Sequence, residues 1–180
     1  MGYDMYWNST PPAVEAKTAE IQTRLDAATA DRNAGLITQE QADEIYEELE
    51  RAQSTYFRLN IWGMGIAREL MWNFGMAYDS NPDPALDVPT DEGFASDAYL
   101  ESGTKDEPGI PIHKFCSNDG WNVTPLECLG AVSQWRKFCD QQGWPYDYAP
   151  LNDENEPIAF WPRWIEYLTN AADAGGFRVF

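Results

Sequence analysis

The sequence has little positive charge. Its 180 residues include 12 Lys and Arg against 30 Asp and Glu, which gives a formal net charge of −18. A field of this sign repels phosphate groups, so it disfavours direct binding to nucleic acid or to an anionic membrane surface. The chain has no apolar run of bilayer length, and its first residues lack the basic and apolar stretches of a secretory signal. We therefore expect a cytoplasmic protein whose partner presents a basic surface.

Cysteine and histidine are also scarce. The chain has three cysteines, Cys116, Cys128 and Cys139, and one histidine, His113. A disulfide scaffold uses more cysteines in an even number, so this set indicates a reducing compartment. The spacing H-x2-C-x11-C-x10-C suggests zinc, but Cys128 and Cys139 fall in one predicted helix, roughly 16 Å apart along its axis. They cannot share one zinc ion in that helix, so we predict no metal site. We also predict no cofactor.

Motifs of common enzymes are missing. The chain has no G-x-S-x-G nucleophile elbow, no H-E-x-x-H zinc motif and no EF-hand pattern. This favours a protein that works by binding and has no chemistry of its own. The alternatives are a small-molecule or nucleotide binder, a hydrolase, and a structural subunit of a larger assembly.

Hydrophobic residues make up 43% of the chain and aromatic residues 14%, which is enough to form a core. Their spacing predicts an α+β fold in one domain, 1–180, with a small sheet of three to five short strands and about five helices. The predicted strands are 2–7, 56–62, 110–115 and 177–180, and the helices begin near Pro12, Thr38, Gly65, Pro125 and Trp161. First and last strands that are both extended often lie side by side, but the sequence does not set the order of the strands.

Apolar residues at helical spacing predict which side of each helix is buried. The fourth helix is expected to begin with a capping box at Thr124 and Glu127 and to stop at Gly143. The predicted inward positions are Cys128, Val132, Trp135 and Cys139 in the fourth helix, Val14, Ile21, Leu25 and Ala28 in the first, Ala42, Ile45, Leu49 and Ala52 in the second, and Ile66, Leu70, Met71 and Phe74 in the third.

The first two helices are predicted to form a hairpin, 11–53, which is either packed on the domain or an appendage to it. Gly35 ends the first helix, and Thr38 with Gln41 is a capping-box pattern for the second. The turn at 35–38 resembles the turn of short bacterial two-helix modules of the SHOCT type.

Carboxylates are concentrated in the second helix and in the long acidic loop at 79–109. In the helix they include Glu44, Glu47 and Glu48. Such a run usually marks a solvated face. The alternative is a binding surface for a basic partner, in which fixed carboxylates imitate the phosphates of a nucleic acid.

The densest polar cluster is 113–122. His113 and Asp119 are the candidate catalytic residues there, and Asn118 and Trp121 are candidate ligand-binding residues. The alternative interpretation is a strand followed by a turn, in which Asn118 and Asp119 bond to the backbone. A cysteine–histidine pair made of His113 and Cys116 is disfavoured, because residues three apart on a strand point to opposite faces.

A second candidate site lies where a predicted strand meets a helix. Gly63, Gly65 and Arg68 resemble a truncated dinucleotide-binding loop, with Arg68 in the place of the third glycine. Backbone amides at such a turn hold anions. The alternative interpretation is a tight strand-to-helix turn, with Trp62 and Met64 in the core.

Aromatic residues are unusual in one proline-containing loop. Trp144, Tyr146 and Tyr148 are grouped there, and rings in a loop suit a partner surface or a platform for sugar stacking. The alternative is a loop held on its own domain by Trp144 and Tyr148.

Three short patches resemble uncharacterised small proteins of actinobacteria and their phages. They are the Met-Gly-Tyr-Asp start, the Ser-Asn-Asp-Gly-Trp turn at 117–121 before a Thr-capped helix, and the ending at 172–179 with Gly-Gly-Phe. The resemblance implies no particular activity. A phage origin implies a host-directed binding protein, either an inhibitor or an adaptor.

Overall fold

The structure is a computed structural model that describes residues 2–33, 35–41, 43–45, 55–86, 96–103 and 108–180. The chain divides into two units. One comprises residues 1–9 and 56–180, and the other comprises residues 10–55. The second unit lies close to the bounds of the predicted hairpin.

The larger unit is built around an antiparallel four-stranded sheet. Within the described residues, the strands are β1 (Gly2–Trp7), β2 (Tyr56–Asn60), β3 (Ala77–Tyr78), β4 (Ile110–Pro111), β5 (Trp121–Val123) and β6 (Phe177–Val179). The sheet has the order β2-β1-β6-β5, and β3 and β4 form a separate parallel pair. The first and last strands are therefore neighbours, with Met5 opposite Val179 and Trp7 opposite Phe177.

The described helices are α1 (Pro12–Asn33), α2 (Ile61–Asn73), α3 (Asp97–Leu100), α4 (Pro125–Gln142) and α5 (Trp161–Asp173). Residues 39–41 and 43–45 are also helical, and Pro84–Leu86 and Ile112–Phe115 form 3-10 turns. The α+β class and the small sheet are thus confirmed.

Aromatic rings fill the core of the larger unit. Trp135 of α4 meets Trp161 of α5 edge to face, with ring centroids 5.5 Å apart. Trp164 of α5 contacts the ring of Phe57 in β2, at 5.4 Å, and that of Phe177 in β6. The apolar stripe predicted for α4 is confirmed, because Cys128, Val132, Trp135 and Cys139 are all buried.

The predicted helix ends of the larger unit are also confirmed. Thr124 Oγ1 accepts a hydrogen bond from the Glu127 amide, and Glu127 Oε2 accepts one from the Thr124 amide, so α4 begins with a capping box. It ends at Gly143, whose φ of 71° lies in the left-handed region that glycine adopts most readily.

Two predicted strands are shorter than expected. The segment 110–115 leaves the extended conformation after Pro111, and the 3-10 turn that follows buries His113, Lys114 and Phe115 in succession. An alternating strand would point only every second side chain toward one core. Strand β2 ends at Asn60 because its Oδ1 accepts the Gly63 amide at 2.7 Å and caps α2.

The smaller unit begins with the 22 residues of α1, in which Ile21 and Ala28 are buried as their spacing predicts. Gly35, at φ 73°, follows the helix. The predicted capping box is present: the Thr38 amide donates to Gln41 Oε1 at 3.0 Å, and the Gln41 amide donates to Thr38 Oγ1. The inward positions predicted at 42, 49 and 52 lie outside the described residues.

One close approach in the larger unit requires glycine. A Cβ atom on Gly130, in α4, would lie 2.7 Å from the Gly109 backbone nitrogen and 3.3 Å from Pro108. The segment that enters β4 therefore runs directly against the α4 backbone, which only a residue without a side chain permits.

Candidate functional site

The predicted polar cluster at 113–122 is split by the fold. The 3-10 turn buries His113 and leaves Cys116 exposed. The prediction that His113 and Cys116 point to opposite faces of a strand was wrong, because residues 112–115 form a 3-10 turn. The two side chains nevertheless have different partners. Among the described residues, no hydrogen bond or ion pair joins any two of His113, Asp119 and Arg68.

His113 is closed off from solvent. Its Nδ1 lies 3.0 Å from the Ser80 carbonyl oxygen, and because a carbonyl only accepts, Nδ1 carries the proton. Its ring meets the Trp121 ring edge to face at 4.9 Å. Burial lowers the pKa of His113 below its ordinary value, against an opposing contribution from the Ser80 carbonyl. A buried, neutral histidine with these contacts supports the core rather than acting on a substrate as a general base.

The other residues of the cluster also have structural contacts. Asn118 Nδ2 donates to the Gly2 carbonyl at 2.7 Å, so it ties the turn before β5 to the start of β1. Trp121 is buried, and its indole nitrogen donates to Ser117 Oγ; no ligand can stack on it in this position. Asp119 is exposed in the turn. The turn interpretation fits these positions better than the ligand-binding one.

A buried ion pair, which the sequence does not reveal, joins Lys114 of this cluster to Glu127 of α4. Lys114 Nζ is 2.9 Å and 3.0 Å from the two carboxylate oxygens of Glu127 and donates a third hydrogen bond to the Asn122 carbonyl at 2.7 Å. Neither side chain is more than 3% exposed. Desolvation lowers the pKa of Lys114, and Glu127 opposes that effect. The ion pair connects the 3-10 turn Ile112–Phe115 to the capping box at the start of α4.

The glycines of the second candidate site lie inside a helix, not in a loop. Helix α2 already begins at Ile61, and the Gly63 amide is occupied by the Asn60 side chain. Strand β2 is an antiparallel edge strand, whereas a dinucleotide loop follows a parallel strand of a βαβ unit. Arg68 Nη1 donates to the Phe115 carbonyl and to Cys116 Sγ, both at 3.4 Å. The geometry therefore opposes an anion site at Gly63, Gly65 and Arg68.

The aromatic loop is fastened to its own unit at both ends. The rings of Trp144 and Tyr148 stack at 4.2 Å, and Trp144 also meets Phe138 edge to face. Both Trp144 and Tyr148 are half-buried. Tyr146 alone projects outward, with 49% of it exposed. Of the three predicted partner-binding aromatic residues, only Tyr146 is thus open to a ligand.

Of the three predicted acidic partner-binding residues, the structure describes only Glu44, which is exposed. Glu47 and Glu48 lie outside the described residues, and so do parts of the acidic loop at 79–109. Its described ends are joined, because Ser80 Oγ donates to the Gly103 carbonyl at 2.7 Å.

A large apolar surface lies on α2, where the sequence analysis predicted core. Met64, Ala67 and Met71 form its buried side. The outer face of α2 consists of the residues on the opposite side: Ile61, Trp62, Gly65, Ile66, Glu69, Trp72 and Asn73. Trp62 is 81% exposed, and Ile61 and Trp72 are each 52% exposed. The predictions that Trp62 and Ile66 are buried were wrong.

A signal for this face was present in the sequence. Only Arg68 and Glu69 are charged among the 13 residues of α2, so apolar side chains occur all around the helix. A surface helix ordinarily shows one apolar stripe and one polar face. An apolar helix at the edge of a small acidic domain is therefore either fully enclosed or exposed to a partner.

A cleft of about 600 Å³ lies against α4 and the start of the aromatic loop. Its lining residues are Leu129, Val132, Ser133, Arg136, Lys137, Asp140, Tyr146 and Thr169. Tyr146 donates its hydroxyl to Asp140 Oδ1 at 3.0 Å, and the Arg136 guanidinium lies over the Tyr146 ring, 5.7 Å from its centroid. The hydrogen bond to Asp140 raises the pKa of Tyr146, so the phenol stays protonated.

Within the described ranges, no group of three or more His, Cys, Asp or Glu side chains is placed to hold a metal ion. The described helices likewise include none that is long and apolar enough to cross a membrane.

No family model matches the chain, and no curated protein or solved structure matches it either. The assignment of function therefore rests on the geometry above.

Proposed function

We propose that this protein acts by binding a partner protein through the outer face of α2. The observation that carries the proposal is the exposure of Trp62, Trp72, Ile61 and Ile66 on one side of a single helix. Single exposed apolar residues are ordinary on protein surfaces, but contiguous apolar patches mark interaction sites. Tryptophan is also among the residues that contribute most to binding energy at protein interfaces.

The partner's chemistry follows from charge. The chain carries 30 acidic residues against 12 basic ones, so its field attracts a positively charged surface and accelerates the encounter. The outer face of α2 contains one charged residue, Glu69. The expected partner therefore has an apolar surface that covers Trp62 and Trp72 and a net positive charge, which the chain's net charge of −18 attracts.

A second copy of the chain is a poorer occupant. Two chains of −18 repel each other at long range, and none of the residues that the structure places on the outer face of α2 is basic. Dimerisation through the same apolar face would also show the opposite salt dependence, because salt screens repulsion between like charges.

The other candidate functions receive less support. A hydrolase would need His113, Asp119 and Arg68 in one accessible site, and the first of these is buried against Ser80. A cytoplasmic location is part of the proposal, since all three cysteines are unpaired thiols. An adaptor or a host-directed inhibitor would both work through such a surface.

The test begins with the full chain, tagged and recovered from the cells that naturally contain it. Trp62→Ser and Trp72→Ser should both lose a partner that the unaltered chain retains. The melting temperature should stay close to that of the unaltered chain for Trp62→Ser, because Trp62 is 81% exposed, and fall moderately for Trp72→Ser, because half of Trp72 is buried. Leu126→Ser is the matched control, since Leu126 is 79% exposed on α4. The partner, once identified and purified, should bind the unaltered chain directly and more weakly as salt rises.

Two results would overturn the proposal. In one, the purified partner binds both tryptophan variants as tightly as the control. In the other, sedimentation of the chain alone shows a dimer that strengthens with salt and is abolished by Trp62→Ser, which would make the outer face of α2 an interface between copies.

A further inference from the structure

The cleft beside α4 differs in charge from the rest of the protein. Arg136 and Lys137 are adjacent and line it together, in a chain with only 12 basic residues. Neither forms an ion pair with another residue in the described part of the chain. Two exposed cations without carboxylate partners, in a chain of −18, provide a local site for an anion.

The groups around these cations restrict the ligand further. Asp140 uses Oδ1 to accept from Tyr146, and its second oxygen stays available to accept from a hydroxyl group. The Arg136 guanidinium lies over the Tyr146 ring, 5.7 Å from its centroid, a cation–π arrangement that favours this position of the guanidinium. Leu129 and Val132 add apolar lining. The cleft thus combines a dianion-sized charge site with a hydroxyl acceptor.

The size of the cleft and the overall field favour a small anion. A cleft of about 600 Å³ is within the range of small-molecule sites. A nucleic acid would bring many phosphates into the repulsive field of the whole chain. A single phosphate ester, at roughly −1.5 to −2 near neutral pH, meets two cations at short range. Asp140 lines the same cleft, so the hydroxyl groups of the ester and not its phosphate must face that carboxylate.

We propose that this cleft binds a small hydroxyl-bearing phosphate ester, whose phosphate pairs with Arg136 and Lys137 and whose hydroxyl groups bond to Asp140. The site is separate from the outer face of α2, so a ligand here is a second function of the domain. Charge-assisted bonds from a guanidinium and an ammonium are the usual means of holding a phosphate group.

The structure supplies a local reporter for this binding. Trp135 is fully buried, and its indole N–H donates to the Tyr146 carbonyl at 2.8 Å. Its indole resonance in a ¹⁵N NMR spectrum should move when the Tyr146 backbone shifts. Ribose 5-phosphate, ribose and inorganic phosphate are the probes, titrated at constant ionic strength into the full chain.

We expect a saturable shift of the Trp135 indole signal with ribose 5-phosphate, weaker binding of inorganic phosphate and none of ribose. Arg136→Gln and Lys137→Gln should each weaken the affinity roughly tenfold, the loss of one charge-assisted bond. Arg163→Gln is the control, because Arg163 is an exposed arginine on α5 that lies over Phe57 and not in the cleft.

Absence of a saturable shift would overturn the site, and so would equal weakening by Arg163→Gln. Ribose binding as tightly as its phosphate would overturn the role of the two cations. Inorganic phosphate binding as tightly as ribose 5-phosphate would overturn the role of Asp140. None of these outcomes bears on the outer face of α2.

Discussion

Helices α2 and α4 each bury one side in the same unit, but their outer sides differ. Toward solvent, α4 presents mostly polar residues, among them Arg136, Lys137 and Asp140, as expected of a surface helix, although Leu126 and Leu129 are also exposed on it. The solvent-facing side of α2 instead presents Trp62 and Trp72. Because α4 shows that the unit accommodates an amphipathic helix, the apolar outer face of α2 is a local feature of that helix, and this supports our proposal that a partner binds there.

The two helices also differ in how they are fixed. The start of α4 is held by a capping box and by the buried pair of Lys114 and Glu127. The start of α2 has one side-chain cap, from Asn60. A helix whose first turn is anchored in the core holds its side chains at fixed positions, which a small-ligand site needs. A broad apolar contact tolerates small shifts in the position of its helix.

The largest expected effect tests the anchor of α4. Lys114→Met leaves the Glu127 carboxylate buried without its cation, and breaking a buried pair in this way costs about 3–5 kcal/mol. We expect the free energy of unfolding, measured in urea, to fall by that amount. Lys114→Met combined with Glu127→Gln should recover part of the loss, because the amide is neutral and still accepts the Thr124 N–H.

If Lys114→Met and Glu127→Gln destabilise the protein additively, the two charges are not coupled across the core. The first turn of α4 would then be held no more firmly than the first turn of α2.

An intermediate effect is expected where α4 meets the segment entering β4. Gly130→Ala places a Cβ 2.7 Å from the Gly109 nitrogen, and forcing apart packed backbone costs about 1–3 kcal/mol. This exceeds the roughly 1 kcal/mol that alanine gains over glycine inside a helix. The variant should therefore melt at a lower temperature than the unaltered chain. A higher melting temperature would show that α4 and the 108–109 segment separate easily.

Local signals in the sequence predicted most of the fold. The capping box at Thr124, the stop at Gly143 and the stripe of Cys128 to Cys139 depend on residues close together in the chain, and each is confirmed. The pairing of the first and last strands was also expected, although the order of the whole sheet was not. Strand order depends on contacts between distant segments, for which one sequence carries no local pattern.

The candidate sites were harder to predict for a physical reason. The pairing of Lys114 with Glu127 joins residues 13 apart through a turn that was read as a strand. The strand-to-helix turn interpretation puts Trp62 in the core, and only the geometry of α2 shows that it is 81% exposed. The exposure of Tyr146 agrees with the expectation that a proline-containing loop cannot enclose all of its rings.

The smallest expected effect tests whether the outer face of α2 is open within the chain itself. Gly65 lies in the middle of that face, and a Cβ built there meets nothing within 4 Å. Gly65→Ala should therefore gain the helix propensity of alanine without a clash and stabilise the protein by about 0.5–1 kcal/mol. This is opposite in sign to the effect at Gly130, so the two glycine variants measure the contrast between the helices directly. The measurement is urea unfolding of both variants beside the unaltered chain. A loss of stability in Gly65→Ala would mean that another part of the chain covers this face, and the case for an external partner on α2 would fail.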